Sequence, residues 1–221
     1  TANMGSSDAN RIATMLKGID RYNPENLGEL EPHVKQQLAN NTYDLPANLA
    51  ILKLYQFNPS FFQVDIVCGI LLKALTSLPS ADFSLCECLI DQHHHEDQQI
   101  GRLIFLHHLL ETCDFKLFWR ELSATPELTE GVVGFEDSIK KFICRTVSIS
   151  YQRIGLEELR SLLGDLGDEE LNRWIKVNEW SRLDGDLVFV ANQEELVKTR
   201  NIVDKVNFEK IQSVMSSGMA T

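Results

Sequence analysis

The sequence predicts a mainly α-helical fold of 221 residues: a HEAT/TPR-like helical-repeat domain, a winged-helix domain with a short β-hairpin, and a C-terminal helix. Three observations predict it. Apolar residues recur at helical spacing through the first 125 residues. A cluster of proline, glycine and polar residues, "SATPELTEGVVG" at 123–134, then interrupts the pattern. Beyond it the order is helix, short strand, helix, turn, helix, hairpin, which is that of a winged helix. The expected division is a helical-repeat domain over 1–125, a winged-helix domain over 134–192, and a tail with a terminal helix over 193–221.

In "NPENLGELEPHVKQQL", Asn23 serves as a cap and Pro24 takes the first helical position, where its missing N–H is harmless. Leu27, Leu30, Val34 and Leu38 then line one face. "DLPANLAILKLYQF" repeats the device, with Asp44 as cap and Leu49, Leu52 and Phe57 near helical spacing. "NPSFFQVDIVCGILLKALTSLP" opens on Asn58 and Pro59 and is apolar on most sides, as a central helix is. "DFSLCECLIDQ", "QQIGRLIFLHHLLETC" and "DFKLFWREL" continue the series. "YNP" at 22–24 and "FNP" at 57–59 echo each other across 35 residues, a helical-solenoid period, although the tetratricopeptide consensus is absent.

After the break, "FEDSIKKFICRTVSISYQRI" reads as a helix running into a short β-branched stretch. "GLEELRSLLGD" and "DEELNRWIKVNEW" are helices around the turn "GDLG". "SRLDGDLVFVA" is a hairpin with Asp184 and Gly185 in the turn and Leu187 to Val190 as a strand. Trp174, Ile175 and Trp180 fill the small core of this module. The tail closes with a helix capped by Asn207 and striped by Phe208, Ile211 and Met215.

Net charge is −11, from 21 basic and 32 acidic residues, which excludes bulk attraction to phosphate backbones. Between Tyr151 and Ala191 nine acids outnumber five bases, and the would-be recognition helix opens with Asp168, Glu169 and Glu170. Like charges about 4 Å apart repel by ~4 kcal/mol at a surface-like dielectric, so direct duplex nucleic-acid binding is not expected. All five cysteines, Cys68, Cys86, Cys88, Cys113 and Cys144, sit among apolar neighbours and read as buried free thiols of a reducing compartment. No run reaches 18 apolar residues and no signal pattern opens the chain, so a soluble intracellular protein without membrane contact is expected.

"CLIDQHHHEDQQ" places His93, His94 and His95 beside thiols and acids, as a metal site would. Zinc sites pair ligands as Cys-x2-4-Cys or His-x3-5-His. Here Cys86 and Cys88 point roughly 200° apart on a helix, and no i, i+4 histidine pair exists. A solvated helix end is the expected reading. Cys113 and His108 read as packing rather than as nucleophile and base. Walker, Rossmann and nucleophile-elbow motifs are missing, so neither catalytic residue nor cofactor or metal ligand is expected. A protein-interaction scaffold remains. The strand residues Leu187, Val188 and Val190 are expected at a sheet edge open to a partner's strand, and Phe208, Ile211 and Met215 in a partner's helix bundle.

Six segments carry a resemblance in their wording: "LKGIDRYNPENL" (16–27), "YDLPANLAILKLYQFNPSFFQ" (43–63), "LLKALTSLPSADFSLCECLIDQ" (71–92), "LLETCDFKLFWREL" (109–122), "GFEDSIKKFICRTVSISYQRI" (134–154) and "NIVDKVNFEKIQSVMSS" (201–217). They closely resemble the subunit K family of eukaryotic translation initiation factor 3, over nearly the whole chain. That family is similar to small subunits of the proteasome lid and the signalosome, which share helical repeats followed by a winged helix (the PCI arrangement). The resemblance implies a non-catalytic scaffold subunit supporting preinitiation-complex assembly on the small ribosomal subunit. It also implies docking on other subunits of the factor, notably subunit L, and a cytoplasmic location with which a nuclear pool is compatible. A sister subunit of the lid or signalosome is the alternative, and a metal-dependent enzyme is the third class. The histidine run and the first ten residues look least like the family.

Overall fold

The computed structural model describes residues 11–18, 20–183 and 185–192. Residues 11–15 are helical, and a 3-10 turn covers Asp20–Tyr22. The Asn23 side chain accepts the Glu25 N–H at 3.1 Å and caps a 3-10 turn, Pro24–Asn26, that runs into α1, Leu27–Asn40. Leu27, Leu30 and Val34 are buried as the stripe requires, but the fourth buried position is Gln37 rather than Leu38. Gln37 is there because both its amide nitrogen and its amide oxygen have hydrogen-bond partners. Its amide donates to Asn48 Oδ1 at 2.9 Å, and its Oε1 accepts from Asp44 N at 2.8 Å and Asn48 Nδ2 at 3.3 Å.

Asp44 caps α2, Leu45–Phe57, by accepting the Ala47 N–H at 3.1 Å. The buried stripe of α2 is Ala47, Ala50, Ile51, Leu54 and Tyr55 with Leu52, whereas Phe57 emerges at 63% exposure. Pro59 opens only a 3-10 turn, Pro59–Phe61. The long apolar helix α3 starts later, at Val64, and runs to Leu75. Asn58 does not cap it; its amide donates backwards to Leu54 O at 3.0 Å. Every residue of α3 from Ile66 to Leu75 is buried. This helix is the centre of the stack, packed against α1, α2, α4 (Asp82–Glu87), α5 (Gln98–Glu111) and α7 (Phe135–Ser150). Gly69 permits the α1 approach, since a Cβ there would lie 3.0 Å from Leu38 Cδ1 and 3.3 Å from Val34 Cγ1. Asp97 and Asp114 cap α5 and α6 (Phe115–Ser123) through their side chains.

Residues 124–134, with a 3-10 turn over Pro126–Thr129, connect α6 to α7 and are tied to α1 by Val133 N–H to Leu38 O at 3.1 Å. Gly134 at φ 74° turns the chain into α7. The expected short strand follows as β1, Arg153–Gly155. Next come α8, Leu156–Leu162, and α9, Asp168–Val177, then the hairpin strands β2, Ser181–Leu183, and β3, Leu187–Phe189. Gly185 and Asp186 supply left-handed turn geometry at φ 81° and 57°. Trp174, Ile175 and Trp180 are buried, as expected of the core residues of this end.

The sheet is antiparallel with order β1-β3-β2. Arg153 pairs with Phe189 and Gly155 with Leu187 on one side; Ser181 pairs with Phe189 and Leu183 with Leu187 on the other. One core cluster runs from Ile12 to Val190, and the chain through Ala191 forms a single compact unit. A second unit is Asn192–Thr221. The architecture is mainly helical with one small sheet. Among the described residues no helix is long and apolar enough to cross a membrane.

Candidate functional site

The sheet corrects one expectation. Leu187, Val188 and Val190 were expected on an open edge, but β3 is the middle strand and its backbone is paired on both sides. Val188 is fully buried and Val190 nearly so, which makes them core; Leu187 remains 39% exposed. The reason is strand order. A two-strand hairpin leaves β3 free on its far side, and β1, more than thirty residues earlier, takes that side. The edges are β1 and β2, and all three β2 residues are exposed. Phe208, Ile211 and Met215 lie outside the described residues.

The histidine run forms a 3-10 turn, Gln92–Glu96, capped by Asp91, between α4 and α5. His94 stacks on Phe62 with ring centroids 3.6 Å apart and planes 3° apart, and His93 leans on it at 3.8 Å. His93 Nδ1 sits 2.8 Å from Asp91 Oδ1. Burial against Phe62, with help from the neighbouring His93, moves His94 below the usual histidine range. The hydrogen bond from His93 holds Asp91 below the usual carboxylate range. The run thus works as a packed joint between two helices. Among the described residues no group of three or more His, Cys, Asp or Glu stands close enough to hold a metal ion.

The thiols divide. Cys68, Cys86 and Cys144 are buried, and burial pushes each up to about 12; Cys88 and Cys113 are exposed, against expectation. Cys88 follows the last turn of the short α4, and Cys113 sits in the left-handed position (φ 60°) that ends α5. An apolar neighbourhood in sequence does not bury a residue at a helix end.

Two surfaces escaped the sequence reading. The aromatic residues that open the "YNP" and "FNP" echoes meet in space: Tyr22 and Phe57 stack edge-to-face with centroids 5.9 Å apart, both exposed, and Phe61 is exposed nearby in sequence. The echo was the available signal. The second surface is a groove of about 440 Å³ between α1, α3, α5 and the 124–134 connector. Its walls are Leu38, Leu72, Leu128 and Val132 with the acids Asp65, Glu127 and Glu130. No local sequence signal marks it, because its residues come from four separated segments.

At the sheet end, cations are held by acids: Arg160 by Asp168 and Glu157, and Lys140 by Glu136 at 3.4 Å and Glu170 at 3.2 Å. Asp168, Glu169 and Glu170 do open α9 as predicted.

These residues define a mainly helical chain closed by a small antiparallel sheet, with grooves and sheet edges on its surface. A model of the CSN8/PSMD8/EIF3K family matches residues 62–201. The chain is 51% identical over 206 residues to eukaryotic translation initiation factor 3 subunit K of Homo sapiens, covering 93% of this chain and 94% of that protein. Identity to the proteins of the same name is 49% in Xenopus tropicalis and 46% in Bombyx mori, each with 99% of the relative covered. The chain belongs to the CSN8/PSMD8/EIF3K family.

Proposed function

We propose that this chain is a non-catalytic subunit of eukaryotic translation initiation factor 3, working as a protein-interaction scaffold in the assembly of preinitiation complexes on the small ribosomal subunit in the cytoplasm. The observation that carries the reading is identity of about half across nearly the whole length of subunit K relatives. In this reading α1 to α6 are a HEAT/TPR-like repeat domain, residues 134–192 a winged helix, and 193–221 a tail that joins a partner's helix bundle through Phe208, Ile211 and Met215. Other subunits, notably subunit L, are the partners. The exposed edge strand β2 takes over from β3 as the place for strand addition. Duplex nucleic acid is disfavoured by the acidic start of α9 and by cations already held in ion pairs.

The test is affinity capture of the tagged full chain from eukaryotic lysate, followed by mass spectrometry. Recovery of the initiation-factor subunits with small-subunit proteins is expected. Recovery of proteasome-lid or signalosome subunits instead would move the chain to the sister branch. Strand addition is tested separately by Arg182→Pro in β2, which is expected to reduce recovery of one partner while leaving the fold intact.

A further inference from the structure

We propose that the groove between α1, α3, α5 and the connector binds an extended partner segment carrying lysine or arginine residues interspersed with apolar ones. The chemistry of its walls selects that occupant. The apolar surface comes from Leu38 on α1, Leu72 on α3, and Leu128 and Val132 on the connector. Asp65 stands on the α3 side; Glu127 and Glu130 stand on the connector side. All three are exposed, and among the described residues none of them takes part in an ion pair. The cation on these walls, Arg102, is already held: its Nη2 lies 3.1 Å from a Glu121 carboxylate oxygen and donates to the Glu121 carbonyl at 3.1 Å. The groove therefore offers unpaired negative charge beside apolar side chains, in a molecule whose net charge of −11 adds to the same field. Burial, together with Asp97 and Asp65, pushes the Cys68 thiol on its floor up to about 12, which the same field favours.

A lysine or arginine side chain matches both layers. Its methylene stem lies along Leu72 and Leu128 while its head stays in water beside the acids. An acidic segment would meet three carboxylates, and a purely apolar one would leave them unused. The volume of about 440 Å³ lies in the range of ligand-binding clefts. Three helices from separate segments line it in succession, which gives an extended chain a track rather than a point of contact.

The inference rests on the scaffold reading, but its test uses the isolated full-length chain, so either can fail without the other. The probe is a fluorescein-labelled (Lys-Leu-Gly)4 peptide followed by anisotropy at low salt, with (Glu-Leu-Gly)4 and free spermine as controls. The lysine peptide is expected to bind, the glutamate peptide not, and spermine to displace it poorly. Glu127→Lys with Glu130→Lys is expected to weaken binding at least tenfold. A charge-matched pair away from the groove, Asp137→Lys with Glu169→Lys, is expected to change it less than twofold. Leu128→Ser is expected to weaken binding several-fold although it leaves the charge untouched. Thermal melts of each variant verify the fold. Absence of binding, equal losses from the two charge pairs, an unchanged Leu128→Ser affinity, or full displacement by equimolar spermine would each overturn the proposal.

Discussion

Single residues of this protein carry measurable energies. Gly164 adopts φ +90° and its hydrogens face the Trp119 ring, where a Cβ would sit 3.0 Å from Cδ2. Left-handed geometry in an L-residue costs about 1–2 kcal/mol and overpacking about 1–3 kcal/mol, so Gly164→Ala is expected to destabilise by roughly 2–5 kcal/mol in urea denaturation. Gly28, inside α1 with nothing within 4 Å of its would-be Cβ, responds in the opposite direction: Gly28→Ala is expected to stabilise by about 0.5–1 kcal/mol. His107 makes a pH prediction. It is buried and stacked on Phe83 with centroids 4.0 Å apart, and burial holds it below the ordinary histidine range despite Glu111 and Glu87. The unfolded chain therefore binds the proton first, near its ordinary value of about 6.5, and stability falls as pH drops through and below that point. Melting temperature is expected to decline from pH 7 towards pH 5, and His107→Gln to flatten part of that decline.

Between elements, α1 and α2 are clasped by a buried amide pair rather than by leucines alone. Gln37→Leu leaves Asn48 and the Asp44 N–H without a buried partner, at a cost of about 2–4 kcal/mol. The double change Gln37→Leu, Asn48→Leu is expected to cost less than the two singles together, since each side chain is the other's partner. This pair also shows where the sequence stops being legible. Caps and stripes at Asn23, Asp44, Leu27, Leu30 and Val34 are local, so they were readable within about two turns of one helix. Gln37 in place of Leu38, and Phe57 facing water, depend on what the neighbouring helix brings, which no window of one helix contains. The same limit put β3 at an open edge, where the structure has it in the middle. A hairpin signal names β2 and β3 as neighbours, but nothing local says that β1 will occupy the far side of β3. The acidic opening of α9 was legible because charge, unlike pairing, is a property of composition.

At the scale of the molecule, the helical stack and the sheet-bearing end share bonds as well as a core. Trp119 on α6 donates its indole N–H to Leu162 O at the end of α8 at 2.9 Å, and Lys116 meets Glu158 at 2.9 Å. The chain is expected to unfold in one transition, with coincident midpoints by far-UV circular dichroism and by tryptophan fluorescence. Trp119 stands at the junction, and Trp174 and Trp180 in the smaller end; separated midpoints would show two independent domains instead. The position of β3 reaches beyond the finished molecule into its making. Arg153–Gly155 has no ladder partner until Leu187–Phe189 has been synthesised, a delay of roughly 2–7 s at ordinary elongation rates. A nascent chain halted anywhere in that interval can hold α1 to α7 but has neither rung of its sheet, because the strand that both outer strands need arrives last.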